Sequence, residues 1–439
     1  MKSYGTLFLF VFSFFLSTAQ VQTLFEPLDV FQLEYANNPQ IAPNGEWIVY
    51  ERKGFDIMED RATSSLWIVS TKDSKVHRKL TSREGSERNA QWSPQGDKLV
   101  FVSSSGEGSE IFLYWLETGT VAKLTQLENS PSNLAWSPNG SRIAFTMKVN
   151  EKPPVLAKMP QKPKGAKWAK APRITDRLKH EADGSGYIKP GFTHIFTIPV
   201  EGGSPRQLTS GPFHHKSALS WSPDSRKIYF SANRNPDWEY EFRNSEIYAI
   251  DTSTLLFETL TQRSGPDYNP MVSPDGEKIA YLGYEDKVQA YQVSRLQVMD
   301  RKGKESRVIS SKLDRSISGA VWAPDSKGLY VQYNDLGHTK LGYISLGGDL
   351  TEIVDNVGGT SLGRPYASGS FSVSENETLA YTLSFPDRPA DVATVTKSKK
   401  KPEILTGLNE DLLPYKQMAT LNEIWYKSSV DGRKIQGWV

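Results

Sequence analysis

Seven copies of one turn constrain what this chain can fold into. The clearest reads Trp221-Ser222-Pro223-Asp224-Ser225-Arg226-Lys227-Ile228-Tyr229-Phe230: a strand ending in a large apolar residue, a tight turn, then a second strand of alternating apolar residues. Proline pre-sets φ for such a turn, and Asp, Asn, Ser or Gly tolerate the conformations that follow it. The unit therefore predicts a β-hairpin. The other copies centre on Pro43, Pro94, Pro138, Pro274 and Pro324, with a worn copy at Val373-Ser374-Glu375-Asn376. Measured between these positions the spacings are 51, 44, 85, 51, 50 and 51 residues.

Each copy leads into a second pair of strands, the outer one often closing on Leu-Thr, as at Leu124-Thr125, Leu208-Thr209, Leu260-Thr261 and Leu405-Thr406. Four strands per period of about 50 residues is the pattern of a propeller blade. A lone four-stranded sheet cannot bury both faces, so blades stack and each covers the next. The expected fold is all-β, a seven-bladed β-propeller over residues 39–410. Because the first and last blades each hold all four strands in order, the ring is expected to close by packing alone.

Residues 1–19 have the build of a secretory signal peptide: Lys2, an apolar run from Leu7 to Leu16, then Ser17-Thr18-Ala19 before a cut. The expectation is export to a periplasmic or extracellular location, with no integral membrane segment after cleavage. The chain has no cysteine, which excludes a disulfide framework and a lipid-modified N-terminus. Residues 20–38 form a lead-in, and the apolar spacing from Leu24 to Glu34 predicts a short amphipathic helix there. A net charge of +2, from 52 basic and 50 acidic residues, argues for no nucleic-acid partner.

The 85-residue spacing marks an insertion, about 147–193, between the second and third strands of blade three. Its first half, Lys148 to Pro172, is rich in lysine and proline, which fits either a polyanion site or a solvated loop laid over the ring. Blade geometry puts the Ser-Pro turns on one face. The opposite face collects the connections between second and third strands and those between blades: Gly54 to Ser65, the insertion, Asn233 to Asn244, Gly283 to Tyr291, His214-His215 and Asp267-Tyr268-Asn269. Binding groups concentrate on loops held by a rigid scaffold, so a binding surface is expected there.

The densest of these loops holds Arg234, Asp237, Trp238, Glu239, Tyr240, Glu241, Phe242 and Arg243. Carboxylates beside aromatic rings can hold a peptide ammonium through charge-assisted hydrogen bonds and cation–π contact. The competing reading is a salt-bridge cluster within the loop. Gly359-Thr360-Ser361-Leu362-Gly363 matches the nucleophile elbow of a serine hydrolase, but it fails on context. The elbow runs from strand to helix and needs a later Asp and His, whereas all six histidines precede Ser361. His214 and His215 are adjacent, so in an extended chain they point opposite ways and cannot share a metal. No metal or cofactor is expected, no Ser-Asp-His triad is present, and the chain alone is expected to be inactive as an enzyme.

After blade seven, residues 411–439 read as a linker and a hairpin around Asp431-Gly432, its strands Glu423-Ile424-Trp425-Tyr426-Lys427 and Lys434-Ile435-Gln436-Gly437-Trp438. A lone hairpin is marginal by itself, so it is expected to begin a further domain. The Trp-Ser-Pro repeats, the segment Leu156-Ala157-Lys158-Met159-Pro160 to Trp168, and the terminal Ser429-Val430-Asp431-Gly432-Arg433-Lys434-Ile435-Gln436-Gly437-Trp438 together resemble the N-terminal part of a prolyl oligopeptidase family serine peptidase, nearest to the bacterial acylaminoacyl-peptidase and dipeptidyl-peptidase branch. The resemblance implies a propeller that caps an α/β-hydrolase domain absent from this sequence, gates access to it, and binds short peptides. A second reading is a non-catalytic propeller of the Tol type that binds a protein or envelope partner.

Overall fold

The computed structural model describes residues 22–105, 108–157, 160–169, 172–358 and 369–439. The signal-peptide segment 1–19 and the run Gly359 to Gly363 lie outside the described residues. Seven four-stranded antiparallel sheets form, each from strands in chain order. Blade one, for example, is Tyr35–Ile41, Trp47–Asp56, Arg61–Ser70 and His77–Lys79; blade seven is Phe371–Val373, Thr378–Phe385, Arg388–Thr396 and Glu403–Ile404. The fold is a seven-bladed β-propeller.

The turn motif does what its residues dictate. In all seven copies the N–H of the fourth turn residue donates to the carbonyl of the first at 2.8–3.0 Å. That fourth residue is left-handed, with φ between 58° and 76°, at Gly45, Gly96, Gly140, Ser225, Gly276, Ser326 and Glu377. Glycine adopts this conformation without a steric cost. The tryptophan before Ser-Pro is a strut between blades. Its indole Nε1 donates to a backbone carbonyl of the preceding blade's innermost strand: Trp92 to Gln40 at 2.8 Å, Trp136 to Gln91 at 3.2 Å, Trp221 to Ala135 at 3.2 Å, Trp322 to Met271 at 2.9 Å.

The Leu-Thr signature is a clasp. A two- or three-residue fourth strand leaves one N–H of the third strand without a ladder partner, and the threonine hydroxyl accepts it: Ile111, Ile195, Ile247 and Val392 each donate at 2.9 Å to Thr125, Thr209, Thr261 and Thr406. In three blades the same hydroxyl then donates to a carboxylate at the start of the third strand, Glu110, Glu246 or Asp391, at 2.5–2.6 Å. Thr406→Val should cost about 1–3 kcal/mol, because the Val392 N–H loses its acceptor and the buried Asp391 loses a donor. Thr406→Ser keeps both bonds and should cost less than about 1 kcal/mol; the two variants' urea midpoints make the comparison.

Four innermost strands carry a bulge at an asparagine with left-handed φ, namely Asn38, Asn89, Asn133 and Asn269. Each stands five residues before the turn proline. Three of them, Asn38, Asn89 and Asn133, line the central cavity of about 630 Å³ with Glu51, Lys53 and Arg88.

Ring closure uses more than packing. No blade borrows a strand, and Ala36, Ile41, Ile48 and Tyr50 of blade one pack on Ala380 and Val392 of blade seven. In addition Thr23–Leu24 pairs in parallel with Lys416–Gln417, Asn409 bonds the backbone of Glu34 in both directions at 2.9 and 2.8 Å, and Lys416 pairs with Asp29 at 2.7 Å. The helix expected in the lead-in is a single 3-10 segment, Pro27–Gln32. Pro27 starts it, and the backbone must be extended again by Tyr35 to enter blade one, which leaves no room for an amphipathic helix.

Candidate functional site: the joint of blades three and four

Connections between second and third strands differ sharply in length around the ring. In blade one the strands run to Asp56 and resume at Arg61, so most of the expected loop Gly54 to Ser65 is strand, and Glu59 and Asp60 sit in a tight turn. Blade six turns on Leu336 and Gly337 alone. Blade three's second strand runs to Asn150 and its third starts at Gly191, which narrows the insertion to 151–190. The long connections thus gather on blades three, four and five.

Blade four's loop is held rigid by its asparagines. Asn233 Nδ2 donates to the Glu241 carbonyl at 2.7 Å, and Asn235 Nδ2 to Asn233 Oδ1 and the Asn244 carbonyl at 3.0 and 3.1 Å. The Asp237 carbonyl accepts from the N–H groups of Tyr240 and Glu241, both at 2.9 Å. This scaffold divides the residues singled out from the sequence. Arg234 is half-buried at the root, Trp238 and Glu239 are half-buried in the middle, and Asp237, Tyr240, Glu241 and Arg243 are exposed at the tip. The Arg243 guanidinium lies over Phe242, 5.2 Å from the ring centre.

The insertion locks onto this loop through Arg177, which sequence reasoning did not single out. Its guanidinium is 3.6 Å from Glu239 and 3.8 Å from Glu151, and lies over the rings of Phe192 and Trp238 at 4.7 and 5.9 Å. Trp238 also meets His214 edge-on at 5.8 Å. Nothing in the sequence marks Arg177 among its basic neighbours, because its partners come from residue 239 on another blade. Of the three carboxylates, Glu239 is therefore engaged by the insertion, while Asp237 and Glu241 face solvent.

Beneath the loop lie three histidines. His214 and His215 point opposite ways: His214 packs on Phe192 and Trp238, His215 on His194 and Phe230. Arg234 Nη1 donates to His215 Nε2 at 2.7 Å, with Arg234 over the rings of Phe257, Phe213 and Tyr248 at 4.5, 5.1 and 5.8 Å. An imidazole that accepts at Nε2 carries its proton on Nδ1, and that atom is buried with no partner among the described residues. Burial, then the Arg234 charge, pushes His215 down to about 3. Burial, then Lys216, Lys148 and Arg177, pushes His214 down to about 4. His194 is lowered by burial and Arg234. All three are neutral at pH 7.

The neighbouring joint, between blades four and five, is also polar and buried. Arg263 pairs with the fully buried Asp267, its N–H donates to Glu246 at 2.9 Å, and its Nη1 donates to Gln297 at 3.2 Å. Burial pushes Asp267 up to about 6 and also raises Glu246. Among the described residues no cluster of His, Asp and Glu has an arrangement that could hold a metal ion.

This propeller and its loop-bearing face are similar to propellers found in peptidases. Residues 166–287, which hold the second half of the insertion and the whole blade-four loop, match the dipeptidyl peptidase IV N-terminal region. The chain is 25% identical over 94% of its length to an uncharacterized peptidase, YuxL, of Bacillus subtilis, of which it covers 62%. It is 24% identical over 91% of its length to dipeptidyl-peptidase 5 of Porphyromonas gingivalis, of which it covers 58%. The acylaminoacyl peptidase of Pyrococcus horikoshii superposes with a TM-score of 0.72 at 18% identity, over 93% of this chain and 58% of that one. In sequence and fold the chain is similar to the N-terminal propeller portion of these peptidases, and it spans less than two thirds of their length.

Proposed function

We propose that the chain binds short peptides on the face carrying the long connections of blades three to five, and gates their access to a catalytic α/β-hydrolase domain of an exported serine peptidase of the aminopeptidase, dipeptidyl-peptidase or acylaminoacyl-peptidase type. The observation that carries this reading is that the dipeptidyl peptidase match covers the stretch from the insertion through the blade-four loop and the histidine joint. A second observation concerns the strands Glu423–Lys427 and Lys434–Trp438. This hairpin sits on the same face: Gln436 Nε2 donates to the Leu336 carbonyl at 2.9 Å, and Trp438 lies against Gly337. It leaves Ile424, Trp425 and Tyr426 exposed, an apolar surface suited to burial against a following domain. In this reading the exposed carboxylates of Asp237 and Glu241 receive the peptide ammonium, and the Arg177 clamp keeps the loop in place.

Calorimetric titration of the chain with tri-alanine and N-acetyl-tri-alanine tests it. The free amine should bind at least about tenfold more tightly, the worth of one charge-assisted hydrogen bond. Asp237→Asn combined with Glu241→Gln should remove that difference. Absence of binding by any tripeptide would sink the reading.

A further inference from the structure

Among the described residues, Arg234 is a half-buried cation without an anion. Its one hydrogen-bonding partner among the described residues is the neutral His215, and no Asp or Glu oxygen among them comes within 4.0 Å of it. The stretches outside the described residues hold one acidic residue, Glu107. Charged side chains are rarely buried unless paired, and three aromatic rings compensate a guanidinium only in part. Beside it, His215 keeps a second donor, Nδ1, fully buried and without an acceptor among the described residues. The charges around the joint have one dominant sign. Lys148, Lys216, Arg177 and Arg234 act on the three histidines, whereas the two carboxylates in contact, Glu151 and Glu239, are both taken by Arg177. The sequence extends the asymmetry: residues 151–190 hold ten Lys and Arg against four Asp and Glu, while the rest of the chain holds 42 against 46.

We propose that the joint of blades three and four is an anion site in which Arg234 receives a carboxylate of a bound peptide. This rests on the peptide-binding reading above and adds the chemical class of the substrate. A guanidinium offers parallel N–H donors that match a carboxylate, and the aromatic rings hold its plane in position. Arg234 stands at the root of the loop whose tip carries Asp237 and Glu241, so one short loop offers an anion site and an ammonium site. A short peptide with a free carboxylate, at its C-terminus or on an Asp or Glu side chain, satisfies both.

The test is calorimetry on the intact chain with two matched pairs, tri-alanine against tri-alanine amide and Ala-Asp-Ala amide against Ala-Asn-Ala amide, with sodium acetate as the free anion. The expected result is that the carboxylate member of at least one pair binds tenfold or more tightly than its amide, and which pair responds identifies the carboxylate. Arg234→Gln can still donate to His215 Nε2 but carries no charge; it should bring the ratio to about one while amide binding persists, and Arg234→Lys should restore part of it. Equal binding within both pairs, or a ratio unchanged by Arg234→Gln, overturns the anion site. Peptide binding that responds to N-acetylation but to neither carboxylate exchange keeps the peptide reading and removes this inference. Acetate bound through Arg234 with no tripeptide bound does the reverse.

Discussion

Trp221→Ala is expected to destabilise the chain by about 3–5 kcal/mol, the range for removing a large buried aromatic side chain. Trp221 is 6% exposed and packs between blades three and four, against Ala144, Ile195 and Leu208 on one side and Ile228 and Phe230 on the other. The ring therefore belongs to two sheets at once. Its indole bond to the Ala135 carbonyl adds about 1 kcal/mol and fixes how far one inner strand stands from the next. Trp221→Phe keeps most of the apolar area and removes the bond, so it should cost about 1–2 kcal/mol. Urea unfolding of both variants separates packing from strut: equal losses would mean that the bond, not the burial, dominates. Because each blade contacts only its neighbours, the loss falls on one interface, and it is the interface beneath Arg234 and the histidines.

The legibility of this architecture in the sequence has a physical cause. A propeller repeats one local problem, how to turn between two strands and tie the outcome to the next blade, and Trp-Ser-Pro-Asp-Gly solves it with residues that are visible one copy at a time. Tryptophan supplies the strut, proline the turn and glycine the left-handed position. The Leu-Thr ending was equally visible, although its role as a clasp needed the third strand's unpaired N–H. The asparagine bulges were present at a fixed distance from proline, but Ala218, Gly319 and Ser370 occupy the same place in other blades, which weakens the pattern.

What escaped the sequence is the set of contacts made once. Arg177 meets Glu239 across 62 positions, and Arg234 meets His215 across an inter-blade connection, with no periodicity to bring either pair to notice. The constellation from Arg234 to Arg243 stood out by composition, yet composition could not divide it. The side-chain bonds of Asn233 and Asn235 fix the loop so that Arg234 lies inward and Asp237 and Glu241 stand at the tip. The adjacency of His214 and His215 excluded a shared metal, and the same alternation sends one ring to the loop and the other to the arginine.

That joint sets the chain's response to acid. His215 titrates near 6.5 in the unfolded chain and near 3 in the folded one, so its stabilisation is complete above about pH 6.5 and is lost as pH falls toward 3. At pH 5 the loss from this fully buried residue is about 2 kcal/mol relative to pH 7.5. His214, folded value about 4, acts in the same direction but by less, because it is partly exposed. Asp267 acts in the opposite sense: its carboxyl, raised to about 6, contributes stability below its unfolded value that is lost as pH rises through 6, so acidification from pH 7.5 to 5 returns about 1 kcal/mol. The expected net is a loss of about 2 kcal/mol at pH 5. His215→Gln, a neutral acceptor for Arg234 that cannot protonate, should flatten the pH dependence by about 2 kcal/mol, and Asp267→Asn should steepen it by about 1. Urea midpoints at pH 7.5 and 5.0 decide, and a His215→Gln variant as acid-sensitive as the parent would place the proton elsewhere. The structural consequence is specific, because protonated His215 has no lone pair for Arg234. Two cations 2.7 Å apart in a buried joint cannot persist, so acid drives the arginine out of its aromatic cage and loosens the loop that carries Asp237 and Glu241.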